Sequence, residues 1–164
     1  MKILAFVPAV LLLAVSVTAQ QQRASPKATA EGTNVKVNYS QPSKKGRVIF
    51  GGLVPFGQVW RTGANEATEI TFDKDGTFGG KPVKAGTYTL WTIPGEKEWS
   101  VILNSDTKFW GTDHEKHKDK DFLTVKVPSK TTSDEIEKFT IRFDKKDMIM
   151  EWDKTQVAVP VSVK

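Results

Sequence analysis

The feature that most constrains the fold is an alternation of apolar and polar residues that recurs along most of the chain. Between residues 35 and 39, Val, Val and Tyr alternate with Lys and Asn, and between 157 and 163 four valines alternate with Ala, Pro and Ser. A period of two places successive side chains on opposite faces of a β-strand. No segment shows the 3.6-residue period of an amphipathic helix. The pattern therefore predicts an all-β protein.

The spacing of the runs predicts about eight or nine short strands in an antiparallel β-sandwich. Two runs, 87–93 and 99–103, are apolar on both faces, so we expect central strands covered on both sides. The segment 78–83 contains Gly79, Gly80 and Pro82, which favours an edge strand or a bulge. Polar residues between the runs predict hairpin turns at 74–76 and 94–97 and further turns at 128–129, 144–147 and 153–155.

Two segments do not fit the alternation. The stretch 104–121 is long for a structureless connection, so we expect it to carry function or a short helical turn. The stretch 132–138 could hold one helical turn at most.

The N-terminus is typical of a secretory signal peptide. Lys2 precedes an apolar run over 3–17, and a small-residue pattern ends at Ala19, which predicts cleavage after that residue. The run is too short for a stable membrane span, so none is expected after removal of the signal. We therefore predict a periplasmic or secreted protein with a signal peptide (1–19), a flexible lead-in (20–32) and a single β-sandwich domain (33–164).

Composition narrows the functional classes. The chain has no cysteine, which excludes a thiol nucleophile, a cysteine-linked lipid and disulfides. The net charge of +5 is spread over lysines without an aromatic-interleaved basic stripe, so a nucleic-acid partner is not expected. There is no Gly-x-Ser-x-Gly elbow, no His-Glu-x-x-His motif and no phosphate-cradling loop. We expect no cofactor, and the sequence does not indicate an oligomeric state.

The stretch 46–68 differs from the rest of the chain. It holds five of the twelve glycines and only three charged residues, Arg47, Arg61 and Glu66. Glycine at this density allows positive φ and close backbone approach. Charges near apolar surface need partners. We therefore expect a compact segment that packs over the core and positions its charged groups.

The same stretch resembles a known family. The run 59–68, VWRTGANEAT, together with 45–57 and with shorter pieces at 85–88, 92–95, 99–104 and 157–163, is similar to the signature of domain of unknown function 2911. The resemblance covers nearly the whole mature chain. It implies an exported bacterial β-rich protein and supplies no activity, because the family is uncharacterised. One departure lies in 112–120, where members often carry aromatic and acidic residues, and this lowers the functional weight of the histidines there.

Most of the candidate binding residues lie in the stretch 46–68. A guanidinium fork from Arg47 or Arg61 and the amide of Asn65 can hold a carboxylate, a phosphate or a sugar hydroxyl. The alternative is structural: Glu66 pairs internally with arginine, and Asn65 satisfies the backbone of a turn. Trp60 and Trp110 are the tryptophans expected to face a ligand. Trp99 and Trp152 lie in alternating apolar runs, so we expect these two tryptophans in the core.

His114 and His117 are weak metal candidates. They stand three apart among carboxylates, and imidazole with carboxylate can bind zinc or copper. Interleaved lysines are more typical of a solvated loop, so we expect no metal.

The function that the sequence favours is a non-catalytic binding or interaction module for a carbohydrate or another cell-envelope component. One alternative is a hydrolase with a carboxylate- or arginine-centred site around 46–68, since a second carboxylate can come from any strand. The other is a structural protein that acts through edge-strand pairing.

Overall fold

The computed structural model describes residues 25–107 and 109–164. The elements in this part of the chain are nine strands, one helical turn and one 3₁₀ turn. In chain order they are β1 (Lys27–Gly32), β2 (Val35–Ser40), β3 (Thr68–Phe72), β4 (Gly76–Phe78), β5 (Lys81–Val83), β6 (Gly86–Ile93), β7 (Glu98–Asn104), α1 (His114–His117), the 3₁₀ turn (Lys118–Lys120), β8 (Asp121–Asp144) and β9 (Asp147–Val163).

All nine strands form one antiparallel sheet in the order β1-β2-β3-β6-β7-β8-β9-β4-β5. Strand β8 is long enough to belong to both halves of it: residues 121–128 pair with β7, and residues 129–144 pair with β9. The sheet thus folds over into two facing layers, as predicted for an antiparallel sandwich. The edge strands are β1 and β5, and β5 is blunted by its length of three residues and by Pro82.

The core lies between the two layers. Buried side chains from β2, β3, β6 and β7 form one cluster with those of β8, β9 and β4. The largest fully buried members include Trp99, Trp152, Phe72, Phe78 and Phe139, and burial of each such side chain contributes roughly 1.5–3 kcal/mol relative to exposure. The predicted core positions of Trp99 and Trp152 are confirmed.

The central strands β6 and β7 are covered on both faces, as their apolar composition predicts. Leu90 faces the main core, whereas Trp91 on the opposite face packs with Ala67 and Ile102 in a second, smaller cluster. The loop residue Phe109 stacks on Trp91 with ring centroids 5.7 Å apart. The long connection between β7 and β8 therefore forms the cover of this second face.

The connection between β2 and β3, residues 41–67, is the compact segment that the glycine-rich composition predicts; we call it the central segment. Ile49 and Val54 are buried in the main core, and Phe50 and Trp60 pack against it. Trp60 pairs with Thr92 of β6 through two backbone hydrogen bonds of 2.7 and 3.0 Å. The segment therefore closes one end of the sandwich.

Three of the predicted turns are wrong, and each has a physical reason. At 128–129, Pro128 pairs opposite Glu98, and the next amide donates to Lys97 O, so β8 continues through the proline. At 153–155 the chain stays in β9, and Asp153 takes a φ of 54° as a local irregularity. The turn at 74–76 links β3 to β4, but these strands do not pair with each other, so it is not a hairpin turn.

The stretch 132–138, for which the sequence allowed one helical turn at most, has none and lies within β8. The predicted turns at 94–97 and 144–147 are confirmed as the β6–β7 and β8–β9 connections. The helical turn expected in 104–121 is α1 followed by the 3₁₀ turn.

The lead-in expected over 20–32 is corrected in its second half. Residues 27–32 form β1, which pairs along its whole length with β2. Backbone hydrogen bonds hold this strand, and its side chains are small or polar, so the alternation that marks the other strands is weak here. The predicted signal peptide, 1–19, lies outside the described residues. Across the described residues, no helix has the length and apolarity to cross a membrane.

Candidate functional site

The central segment and the β7–β8 connection enclose an open cleft of about 760 Å³. We call it the basic cleft. Of the predicted site residues it contains Arg47, Trp60, Arg61 and Asn65. His114 of α1, predicted only as a weak metal candidate, lines the same cleft, together with Lys45 and Glu115.

Arg61 is the cation held deepest in the basic cleft. Its guanidinium is half-buried, and this burial lowers the pKa of Arg61 from its ordinary value. To the rest of the described chain its guanidinium makes one hydrogen bond, which is long, 3.4 Å from Nη1 to the carbonyl oxygen of Asn65. Within the described residues, no ion pair joins Arg61 to a carboxylate. The arrangement leaves guanidinium donors available to an anion in the cleft.

The other cations of the central segment differ in how far they are already neutralised. Lys44 is bound to two carboxylates, 2.8 Å from Asp153 and 2.7 Å from Glu135. Arg47 instead donates to backbone oxygens, from Nε to Lys44 O at 2.9 Å and from Nη2 to Ser43 O at 2.7 Å. Arg47 thus braces the turn through backbone oxygens, and none of the ion pairs among the described residues joins it to a carboxylate.

Buried threonines position the arginine. Thr62, which follows Arg61, is fully buried with φ of 53°. Its Oγ lies 3.1 Å from that of Thr92, and its carbonyl oxygen accepts a 2.8 Å hydrogen bond from the Thr68 hydroxyl. These contacts fix the backbone just after Arg61, and the Trp60–Thr92 backbone pair fixes it just before. The backbone that carries Arg61 is therefore held by β6 and β3.

Trp60 forms part of the floor of the basic cleft. Its ring stacks on that of Trp152 with centroids 5.9 Å apart and planes 18° from parallel, and its Nε1 donates to Gly63 O at 3.2 Å. The ring is half-buried, so one portion packs in the core and the remainder borders the cleft. An aromatic floor beside a guanidinium suits a ligand with an apolar ring face and an acidic group.

The loop residue Gly111 allows a close approach that no other residue permits. A Cβ at this position would lie 2.3 Å from Arg61 Cδ and 2.7 Å from Asn65 O. The Gly111 amide donates to the same Asn65 oxygen at 3.2 Å, and the Asn65 side-chain amide donates to Ser25 O at 3.2 Å. Asn65 thus has the structural role of satisfying backbone groups, in addition to its place in the cleft.

His114 is held by a polar network behind the cleft. Its Nε2 lies 3.0 and 3.1 Å from the two carboxylate oxygens of Asp121, and Asn104 donates to the same carboxylate at 2.8 Å. The imidazole ring packs on Trp91 at 4.8 Å. The histidine is buried, and its Nδ1 has no hydrogen-bond partner among residues 25–107 and 109–164.

Glu66 and Trp110 do not join the basic cleft. They pair through an isolated β-bridge and line a second cleft of about 570 Å³ with residues of β1 and β2. Between Arg61 and Glu66 the chain takes positive φ at Thr62 and Asn65, and the two charged side chains line different clefts. Trp110 is half exposed.

A family model described as a protein of unknown function, DUF2911, matches residues 21–161. The chain belongs to the DUF2911 family. No curated protein and no solved structure matches the chain. The resemblance seen in the sequence is thereby confirmed.

The two histidines of this DUF2911 protein lie in one helical turn but use different partners. His117 Nδ1 lies 2.7 Å from Asp106, and its ring stacks on Phe109. Where the structure describes the chain, no group of three or more His, Cys, Asp or Glu side chains is placed to hold a metal ion. Each histidine is thus engaged by a single carboxylate.

Sequence reasoning gave too little weight to several residues of the DUF2911 cleft. Thr62 and Gly111 position Arg61, and Asp121 with Asn104 positions His114. The only signal for Thr62 was its place within the WRTGANEAT run. The His114–Asp121 contact depends on the path of the β7–β8 connection, which no local pattern specifies.

Proposed function

We propose that this DUF2911 protein is an exported, non-catalytic binding module that holds an anionic cell-envelope component in the basic cleft. An acidic carbohydrate is the ligand class that fits best. Its carboxylate meets Arg61, and one face of its ring lies on Trp60.

The half-buried guanidinium of Arg61 carries this proposal. Burial disfavours its charge, as the lowered pKa indicates, and its one hydrogen bond to a described residue is long. A bound carboxylate or phosphate would supply the missing charge partner with bidentate geometry. A neutral sugar would leave this cost in place, so the proposal requires an acidic ligand.

The charges around the cleft support the same ligand class. Lys45 and Arg47 lie at its mouth, and Glu115 is the single acidic residue among the described residues that line it. The balance of three cations to one carboxylate attracts anions from solution, and the attraction weakens as salt rises.

The decisive experiment is a comparison of matched acidic and neutral sugars. Glucuronic and galacturonic acids, glucose, galactose and muramic-acid-containing peptidoglycan fragments are titrated into the purified chain by calorimetry, after a thermal-shift screen. We expect binding of at least one acidic member and none of its neutral counterpart. Equal response to both members of a pair would overturn the proposal.

Two arginine variants distinguish a role in ligand binding from a role in folding. Arg61→Ala is expected to weaken binding by roughly tenfold or more, as for loss of a charge-assisted hydrogen bond. Arg142→Ala is the matched control, because Arg142 pairs with Glu151 on the β8–β9 hairpin and is not part of the cleft. Equal losses in both variants would contradict the assignment.

Export is tested separately. The full-length gene is expressed in a Gram-negative host, and the periplasmic fraction is analysed by intact mass. We expect a product that begins at Gln20, and an intact Met1 product retained in the cytoplasm would contradict export.

The hydrolase is the second candidate, and the His114–Asp121 pair favours it. When the carboxylate accepts from Nε2–H, Nδ1 becomes the basic atom of the neutral ring and could take a proton from an attacking water. Nδ1 is buried, so a neighbouring side chain must move before water can reach it. For this reason we rank the binding function above the hydrolase. Turnover of an ester or phosphoester panel that is lost in His114→Gln but kept in His117→Gln would reverse this order.

A further inference from the structure

Exposed large apolar side chains are concentrated on one short part of the central segment. Six such residues occur in the part of the chain that the structure describes, and four of them fall within 48–59. They are Val48, Leu53, Phe56 and Val59, with exposed fractions of 70%, 48%, 40% and 36%. We call these four side chains the apolar rim. Single exposed apolar residues are normal, but a cluster of this kind marks an interaction surface.

A tight turn holds the apolar rim in place. The Leu53 amide donates to Val48 O at 3.0 Å. The amides of Gly52 and Val54 both donate to Ile49 O, at 3.2 and 2.9 Å. A Cβ on Gly52 would lie 2.6 Å from Val48 O, and one on Gly51 would lie 2.9 Å from the Phe56 ring. Glycine at both positions lets the turn close so that Val48 and Phe56 lie beside it. Ile49 and Val54 anchor the same turn in the core.

The apolar rim is continuous with the cations of the basic cleft. Leu53 and Val59 line that cleft together with Lys45 and Arg47. Between residues 41 and 65 the chain has four basic residues and no acidic ones. Lys44 is paired with two carboxylates and Arg61 is half-buried, so the exposed cations are Lys45 and Arg47. Apolar side chains on a turn, flanked by exposed cations, are the combination that binds the interface of an anionic bilayer.

We propose that the apolar rim docks this protein onto an anionic lipid surface. Val48, Leu53, Phe56 and Val59 enter the boundary between headgroups and acyl chains, while Lys45 and Arg47 meet lipid phosphates. The insertion is shallow and reversible, because four partly exposed side chains bury little area. The basic cleft then faces the membrane.

A bilayer fits this surface better than a protein partner does. A stable protein interface buries about 800 Å² on each side, far more than four side chains of one turn offer. Bilayer docking needs only a small apolar insertion, and the headgroup charge supplies the rest of the attraction.

The docking does not rest on the proposed ligand. The two share the exposed Lys45 and Arg47, but docking depends on the apolar rim, whereas the carboxylate of the ligand is held by the half-buried Arg61. Arg61→Ala is therefore expected to lose the acidic sugar and to keep lipid binding, so that each proposal can fail without the other.

The test is co-sedimentation of the chain, without its signal peptide, with vesicles. The vesicles are phosphatidylcholine alone or phosphatidylcholine with roughly 30% phosphatidylglycerol, a charge density typical of anionic membranes. We expect binding to the anionic vesicles, weakened by salt, and little binding to the neutral ones. No binding to the anionic vesicles, or equal binding to both, would overturn the proposal.

Two variants probe the rim and its charges. The double variant Leu53→Ser with Phe56→Ser is expected to lower the partition coefficient on the order of tenfold, since most of the inserted apolar area is removed. Lys45→Glu should have a comparable effect that high salt masks. The matched control is Phe122→Ser, an exposed aromatic on β8 outside the rim, with 47% of its surface accessible. Circular dichroism and melting temperature establish that each variant is folded.

The outcomes are distinct. Loss of vesicle binding in the rim variants with retention in Phe122→Ser supports docking through the rim. Retention in the rim variants overturns it. A rim-dependent complex with a soluble protein, with no vesicle binding, would also overturn it.

Discussion

The side-chain hydroxyls of Thr62 and Thr92 lie 3.1 Å apart, and both residues are completely buried. This contact joins the central segment to β6 immediately beside Arg61. Because solvent has no access, each hydroxyl depends on the other and on nearby carbonyl groups. The position of the cleft arginine is therefore tied to a polar contact inside the protein.

Thr62→Ala is expected to destabilise the fold by about 1–3 kcal/mol, because it leaves the Thr92 hydroxyl buried without its partner. Thr92→Ala should cost a similar amount. The double variant should cost less than the sum of the two, since removal of both partners leaves no orphaned group. Urea unfolding of the four proteins measures this coupling, and strict additivity would show that the contact contributes nothing.

Tyr39→Phe is expected to destabilise the protein by about 1–3 kcal/mol. The backbone N–H of Ile141 donates to the Tyr39 hydroxyl at 3.1 Å, and phenylalanine leaves this buried amide unsatisfied. The measurement is urea unfolding at pH 7. Tyr88→Phe is the control, because its hydroxyl donates to Lys84 O at an exposed site. A loss no larger than in this control would contradict the prediction.

Tyr39 also predicts a loss of stability in alkali. Burial raises the pKa of its phenol above the ordinary value of 10.0. Between the unfolded and folded pKa values the unfolded chain binds fewer protons, so the free energy of unfolding falls as pH rises. This contribution is fully present below about pH 10 and is lost as pH rises through the folded pKa. Unfolding free energies between about pH 9 and 11.5 should fall less steeply in Tyr39→Phe than in the wild type.

Gly111→Ala is expected to disturb the basic cleft more than the fold. The new Cβ would lie 2.3 Å from Arg61 Cδ, so the arginine must move, at a cost of roughly 1–3 kcal/mol. Calorimetry should show weaker binding of an acidic ligand. Gly80→Ala is a control in open space, although its positive φ adds backbone strain. If binding in Gly111→Ala equals that of the wild type, Arg61 does not contact the ligand.

Trp110→Ala distinguishes the two clefts. Half of the Trp110 surface is exposed and it lines the cleft that contains Glu66, so we expect stability to change by less than about 1 kcal/mol, as is usual for surface substitutions. Binding of an acidic ligand at Arg61 should be unchanged. A large loss of binding would instead restore the single site that the sequence predicts.

Alternation along the chain was sufficient to predict the strand class and most of the core. It succeeded at Val35, Val37 and Tyr39 because one face of β2 is buried and the other is exposed. It failed around Pro128, where a residue that usually ends strands sits in a paired position while the amide that follows it keeps the ladder intact. Backbone pairing, which side-chain patterns do not report, made the difference.

Only those residues of the candidate cleft that are close together in the sequence could be predicted as one group. Trp60, Arg61 and Asn65 are near in sequence, so one compact segment brings them into one cleft. Glu66 is just as near in sequence, but its bridge to Trp110 places it at the second cleft. His114 comes from a segment some fifty residues away, and only the path over Trp91 brings it to Arg61's cleft.

Strand β8 has a mechanical consequence for ligand entry. One uninterrupted backbone runs from the hydrogen-bond ladder of β7 into that of β9, so the layers cannot hinge apart there like a clamshell without shearing both ladders. Any widening of the basic cleft that admits a large ligand must come from the central segment and the β7–β8 connection. The two layers of the sheet then keep their relative positions while these two loops move.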